Sequence, residues 1–379
     1  MPAVRADLSH LFCSLPWSYA EVHRDGRVFM CCPTYSGRRA IGNVFKSTPE
    51  AIWNSRMARR IRRGILDASF SHCSHRACPK LVGRSLERRA EALRDPETGP
   101  LIAAKTTALA KGPSSVKLCH DESCNLSCPS CRKQTIVAGR ARQAKLDRML
   151  NDFILPFLKD ARLLILSGDG DPFASKHYRD ILKATAERLP RLKIGLHTNG
   201  VLFDARAWED CRLEGRVDLV EVSIDAADPL TYALVRRGGD FARLLRNLAF
   251  LAEQRRAGKI RYFMLSFVVQ RANFREMPAF VALARRFGAD GVRFALIRPW
   301  LRGLARRAYA KAMIWDDAHP DFDAFLATLR DPTLADPIVW ATDVVPFIER
   351  ARGVPVDSGA LKPAPIERLR NWLGGWLPV

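Results

Sequence analysis

The stretch Cys124-Asn125-Leu126-Ser127-Cys128-Pro129-Ser130-Cys131 decides how the chain is read. It places three thiols within eight residues, in the order C-x3-C-x2-C, just after the apolar, strand-like run Val116 to Cys119. Cysteines this close would crowd one another as ordinary core residues, and the spacing is too tight for disulfides among all three. A metal accounts for them more economically. Structural zinc takes four ligands in a tetrahedron, and the loop supplies three. A [4Fe–4S] cluster normally takes four cysteines; held by three, it keeps one iron open for an exchangeable ligand. Spacing by itself leaves open such a cluster, a zinc site, and a closed cluster completed by Cys119 or His120.

Composition bounds the rest. A chain of 379 residues suggests two or three domains, at about 150 residues each, with ample core. Lys and Arg number 61 against 40 Asp and Glu, a net charge of +21. That suits nucleic acid, an acidic substrate or an anionic surface. The cations are spread widely, over Arg56 to Arg63, Arg140 to Arg148 and Arg302 to Lys311. No nucleic-acid-binding motif stands among them, so specific nucleic-acid binding is not expected. Met1 to His10 lacks the apolar centre of a signal peptide, and no long uncharged apolar run predicts a membrane span. A cytoplasmic protein is expected. Ten cysteines in such a chain point to metal rather than disulfides. All but Cys211, which reads as structural, lie before residue 132.

Residues 1–80 carry Cys13, Cys31, Cys32, Cys73 and Cys78. Phe12 to Met30 reads as two strands joined by an Asp25-Gly26 turn. A helix starts at Thr48 as N-cap with Pro49 in its first turn and runs through Arg63. Four of these thiols would close a zinc site as well as a cluster. Residues 81–113 read as a helix and a linker punctuated by Pro and Gly. Residues 114–300 alternate strand and helix, with strands at Val116–Cys119, Leu163–Leu166, Lys193–His197, Leu219–Ile224, Tyr262–Val269 and Val292–Ile297. Helices are expected near Leu146–Leu158, His177–Leu189, Ala205–Leu213, Phe241–Arg255 and Phe274–Phe287. Crossovers of this length imply a parallel sheet with right-handed connections; periodicity does not separate an open sheet from a partial barrel. Residues 301–379 read as mostly helical, over Arg302 to Ala312, Pro320 to Leu329 and Leu361 to Trp376. Phe322, Phe325 and Leu326 form a core face there.

The cysteine loop resembles the signature of the radical S-adenosylmethionine (SAM) superfamily, whose open iron chelates the amino and carboxylate groups of SAM. One departure is Ser130, where the family usually has an aromatic residue. The resemblance implies an α/β fold, a (β/α)6 partial TIM barrel, with the cluster on Cys124, Cys128 and Cys131 after its first strand. Ligands of parallel α/β folds sit at the strands' carboxyl ends. Ser167-Gly168-Asp169-Gly170-Asp171-Pro172 resembles the family's glycine-rich segment, implying that Gly168, Gly170 and Asp171 receive the SAM amino group. Ser223, within Val222 to Asp225, resembles the family's contact to ribose or carboxylate. Arg236 matches the arginine that pairs with the SAM carboxylate. Asn199, Asp225 and Gln270 are looser candidates for the same ligand.

Cys13-x12-Gly26-x4-Cys31, with Ile41 to Val44 and Ile52 to Asn54, resembles the opening of the SPASM/twitch auxiliary-cluster domain, here placed before the core rather than after it. It implies a small cysteine-rich α+β domain whose second [4Fe–4S] cluster is held by Cys13, Cys31, Cys73 and Cys78, with Cys32 the rival of Cys31. The joint resemblance implies an enzyme that reductively cleaves SAM to a 5′-deoxyadenosyl radical and abstracts hydrogen from a peptide or protein side chain. An electron donor such as flavodoxin or ferredoxin is expected with it. Action on a sugar or nucleotide-linked small molecule is the first alternative. A non-catalytic iron–sulfur or zinc protein that binds nucleic acid is the second.

Overall fold

The structure, a computed structural model, describes residues 7–37, 39–76, 78–82, 86–166, 168–298 and 306–353. These fall into two compact units, one drawn from Met1–His120 and Arg140–Ile165, the other from Asp121–Gly139 and Leu166–Leu369.

The first unit carries strands β1 (Leu11–Phe12), β2 (Tyr19–His23), β3 (Arg27–Phe29), β4 (Gly42–Asn43), β5 (Glu87–Arg88), β6 (Ser115–Cys119) and β7 (Leu163–Leu166). β2 and β3 form the expected hairpin, in the antiparallel register Glu21↔Phe29 and Val22↔Val28. Gly26 makes its turn at φ +78°. β2 also runs parallel to β6, from Tyr19↔Ser115 to His23↔Cys119, so the hairpin continues the sheet that contains the strand before the thiol loop. The helix begun at Thr48 departs from its expected length. It ends at Trp53, and a second helix, Arg56–Leu66, starts at Ser55, whose side chain accepts from Ala58 N. Asn54 breaks it because its amide pairs with chain elsewhere: Oδ1 accepts from Leu109 N and Nδ2 donates to Leu109 O, both at 2.8 Å. Asn and Ser offer the backbone such alternatives to the helix.

The same contacts bind the segment read as a linker. Trp53 Nε1 donates to Lys111 O and Trp17 Nε1 to Thr106 O. Arg62, fully buried, lies over the Trp53 ring and donates to Pro16 O and Thr107 O, each at 2.8 Å. The first crossover helix begins earlier than its apolar periodicity suggests, at Arg140, and passes through a π-helical turn, Leu150–Ile154, before Leu155–Phe157. Pro156, lacking an N–H, removes one helical bond at that point.

The second unit holds β8 (Lys193–Thr198), β9 (Val217–Ser223), β10 (Ile260–Val269), β11 (Gly291–Leu296) and β12 (Val339–Trp340), all parallel and in sequential order. Sequential order without reversal is the winding of a barrel sheet; a doubly wound sheet reverses at a switch point. The fold is mixed α/β around a parallel sheet, as expected, within one or two residues at each strand end. β12 and the helix Val345–Arg352 were not foreseen. Of the expected C-terminal helices, Arg306–Ala312 and Phe322–Leu329 are present, and Phe322, Phe325 and Leu326 are buried; Leu361 to Trp376 lies outside the described residues. None of the ten cysteines forms a disulfide. Among the described residues no helix is long and apolar enough to cross a membrane.

Inside this sheet a charged group bridges three strands. Glu221 of β9 is 1% exposed and is paired with Arg293 of β11, whose Nε donates at 3.0 Å. His197 of β8 stands 3.7 Å away. Burial raises the Glu221 pKa, but Arg293 and His197 outweigh it and hold the carboxyl down at about 2. A folded-state value below the unfolded one of 4.5 gives stability that is present above pH 4.5 and lost as pH falls toward 2. The difference corresponds to about 3 kcal/mol. Glu221→Gln should therefore lower stability at pH 7 and flatten its pH dependence below 4.5, measured by denaturant melts from pH 7 to 3. In the first unit, a Cβ on Gly26 would stand 2.5 Å from the Phe45 ring at a positive φ. Gly26→Ala should destabilise by about 1–2 kcal/mol, read as a lower denaturation midpoint with the m-value unchanged.

Candidate metal centre

The thiol loop belongs to the second unit and closes on itself. Cys124 N donates to Ile136 O at 2.8 Å and Ile136 N returns to Cys124 O. Within it, the amides of Cys131 and Arg132 both donate to Cys128 O at 2.9 Å. Leu126 N points at Cys124 Sγ, 3.4 Å away. Cys124, Leu126 and Cys128 form one buried group with Cys131 packed against it, so the three thiols sit together on the inner side of one turn.

Their electrostatics are those of buried thiols with one cation beside them. Burial, with Asp171 adding to it, pushes the Cys124 thiol up to about 11, and burial also raises Cys128 against the pull of Arg236. Unligated, these groups stay protonated, and binding a metal would release their protons. Arg132 is placed to hold the resulting charge. Its Nε and Nη2 donate to Cys131 Sγ at 3.4 and 3.3 Å, while Nη1 donates to Glu122 O and Nη2 to Asp169 O. Burial disfavours the cation, but the thiols of Cys131 and Cys124 raise its pKa overall. Among the described residues no three His, Cys, Asp or Glu side chains converge as around a single ion; a cubane spreads its sulfur ligands over separate corners. Three thiols, no neighbouring imidazole in the loop and a cation at one thiol fit a cluster with an open iron. Cys119 and His120, weighed as a fourth ligand, belong to the first unit and are buried there.

Gly170, Asp171 and Asn199 meet this loop or the chain entering it, whereas Ser223 and Gln270 are paired elsewhere. Gly168 has φ +109°. A Cβ on Gly170 would stand 2.4 Å from Asp121 O and 2.7 Å from Ser123 O, so only glycine lets this segment lie so close to the chain entering the loop. Asp171, also 1% exposed, donates its N–H to Ser123 O and accepts at Oδ2 from Thr198 Oγ1 (2.7 Å) and Asn199 N (2.8 Å). Oδ1 accepts from Phe173 N. Asn199 Nδ2 donates to Asn125 Oδ1 at 2.9 Å and lies 3.9 Å from Cys124 Sγ. Ser223 shares a hydrogen bond with Ser266, Oγ to Oγ, at 3.1 Å. Asp225, held at φ +63°, accepts from Val268 N and pairs with Arg236 Nη2 at 2.7 Å. Arg236 in turn faces Cys128. Gln270 N donates to Asn273 Oδ1, and the Asn273 amide spans Asp225 O and Val268 O.

In the first unit the thiols sort themselves. Burial raises Cys31 first, and then Cys13, Cys78, Cys32 and Cys73 add to it. Burial likewise takes Cys13 to about 11, with Cys78 among its neighbours, and raises Cys73, with Cys13 and Cys78 beside it. Cys13, Cys31, Cys73 and Cys78 thus lie within electrostatic range of one another. Cys32 is raised by burial and then by Glu21, with Lys117 also near. Its sulfur faces a carboxylate and an ammonium.

Three residues at the second unit's site escaped the sequence reading: Arg132, Asn125 and Asn273. The arginine directly after the third cysteine was a usable signal, hidden among 61 cations. The other two had none.

Comparison with known proteins agrees with this arrangement. Residues 119–269 match the family model of the radical SAM superfamily, and residues 13–79 match that of the SPASM iron–sulfur cluster-binding domain. Mycofactocin maturase MftC of Mycobacterium ulcerans is 29% identical over 199 residues, covering 52% of this chain and 48% of that protein. GTP 3′,8-cyclase 2 of Mycobacterium bovis is 27% identical over 173 residues, covering 44% and 46%. The chain spans about half the length of the curated relatives it matches. A solved structure of Streptococcus suis SuiB bound to precursor peptide SuiA is 15% identical, with a TM-score of 0.37 and 66% and 55% coverage. A radical SAM domain implies a [4Fe–4S] cluster and SAM, and a SPASM domain implies further iron–sulfur ligation. The chain thus carries a radical SAM domain, preceded by a SPASM-type iron–sulfur cluster-binding domain.

Proposed function

We propose that the chain is a radical SAM enzyme that modifies a peptide or protein side chain. The observation that carries this is the closed loop of Cys124, Cys128 and Cys131, three thiols packed together with no fourth cysteine in the loop. Cys124, Cys128 and Cys131 would hold a cluster there, and its chemistry when bound would be reductive cleavage of SAM to a 5′-deoxyadenosyl radical that abstracts hydrogen from the substrate. The chain's part is to hold and orient. Gly168 and Gly170 leave backbone open to the SAM amino group, while Asp171 fixes the end of β8 through Thr198 and Asn199. Ser223 and Asp225 would serve the ribose and carboxylate of SAM. Arg236 is anchored by Asp225, and its remaining surface serves the carboxylate. Arg132 stabilises the thiolate of Cys131.

The same reading assigns residues 1–80 to an auxiliary cluster on Cys13, Cys31, Cys73 and Cys78, residues 81–113 to the connection, residues 114–300 to the core and residues 301–379 to a cover at the substrate entrance. A flavodoxin- or ferredoxin-type donor and a cytoplasmic setting complete it. The peptide substrate is supported by the likeness to a protein named a maturase. A second reading, action on a nucleotide-like small molecule, is favoured by the likeness to a GTP 3′,8-cyclase.

Anaerobic reconstitution tests the chemistry. The full chain should bind about eight irons and convert SAM to 5′-deoxyadenosine under reduction; zinc uptake and intact SAM would refute the proposal. Replacing Cys124, Cys128 and Cys131 by Ala should remove about four irons and all SAM cleavage. Cys31→Ala should likewise lose the auxiliary cluster, seen as halved iron content, whereas Cys32→Ala should keep it.

A further inference from the structure

Two buried polar atoms have no hydrogen-bond partner among the described residues, the Tyr232 hydroxyl and Arg236 Nε, and the segment that follows them is held to the thiol loop where Ser127 N donates to Arg237 O at 3.0 Å. Tyr232 is 1% exposed. Its ring packs against Phe241 at 5.0 Å between centroids, and a Cβ on Gly239 would meet the hydroxyl at 2.6 Å. Gly239 therefore leaves the room that the hydroxyl occupies. Burial raises this phenol first, and the charges around it are Arg236, Cys128 and Asp225. Asp225 is already engaged, accepting from Val268 N and pairing with Arg236 Nη2. A phenol or guanidinium this deep normally finds an acceptor, since a buried group left unsatisfied is destabilising. Both orphaned atoms are donors, and the neighbour they share is a thiol that becomes an anionic sulfur when metal binds.

We propose that the Tyr232 hydroxyl and the Arg236 Nε–H donate hydrogen bonds to sulfur at the Cys128 corner of the bound cluster and thereby raise its reduction potential. This rests on the reading that Cys124, Cys128 and Cys131 hold that cluster. Hydrogen bonds to cluster sulfur favour the more negatively charged, reduced state, and they are among the means by which a protein sets the potential. Tyr232 is in this sense a positioning residue whose effect falls on electron uptake.

The test compares anaerobically reconstituted wild-type chain with Tyr232→Phe, which removes one oxygen from a ring held by its own packing. Iron content should be equal. In a spectroscopically monitored redox titration without SAM, the equilibrium toward the reduced cluster should fall about tenfold, a shift of about 59 mV to more negative values for one electron. Pulsed EPR of the reduced wild-type cluster should show an exchangeable-proton coupling that Tyr232→Phe loses. The coupling is read on wild type as well, so a variant that folds poorly still leaves a decisive measurement. Equal potentials and an unchanged coupling at full iron content would overturn this inference alone, as would a shift seen only after SAM is added. A wild-type chain that takes up no iron at the three cysteines would overturn both it and the reading beneath it.

Discussion

The carboxylate of Asp171 is the constraint on which the second unit's site depends. It accepts from Thr198 and Asn199 at the end of β8 and from Phe173 in its own turn, while its amide holds Ser123 at the entrance to the thiol loop. One buried residue thus joins a strand end to the segment that carries three cysteines. Asn199, fixed in this way, reaches Asn125 and lies near Cys124. Burial raises the Asp171 pKa, although the hydrogen bonds it accepts oppose the shift. Such a group is tolerable because nearly every lone pair is used.

Around that anchor, charge is arranged locally even though the chain as a whole is strongly basic. Arg132 is spent on Cys131 and two loop carbonyls, Arg236 on Asp225, and Arg293 on Glu221. Each cation is matched to a defined anion or sulfur. The surplus of +21 is therefore carried by cations elsewhere in the chain, and the site itself is close to balanced.

Much of this was legible in the sequence. Strands with strong apolar runs, such as Leu163 to Leu166, stood out at once, and the cysteine spacing drew attention to the right loop. Side-chain traffic was not legible. Asn54 ends a helix because its amide has a distant partner in Leu109, and no local pattern announces that. β12 is two residues long, below what alternation can reveal. Asp171 reads in sequence as a ligand-facing acid, whereas its oxygens are turned to the protein's own backbone and Thr198. Cys31 and Cys32 meet different neighbours, a difference that spacing does not encode.

Gly26 has a reach beyond its turn. It fixes the hairpin in the register Glu21↔Phe29, and Cys31 follows two residues later. Successive side chains of an extended chain face opposite ways, so a slip of one position reverses every face. Cys31 and Cys32 lie just beyond β3, so a shift at the turn would carry through to the two thiols that follow the strand. The backbone freedom of one glycine is thus felt beyond its own turn, at two adjacent thiols whose surroundings differ.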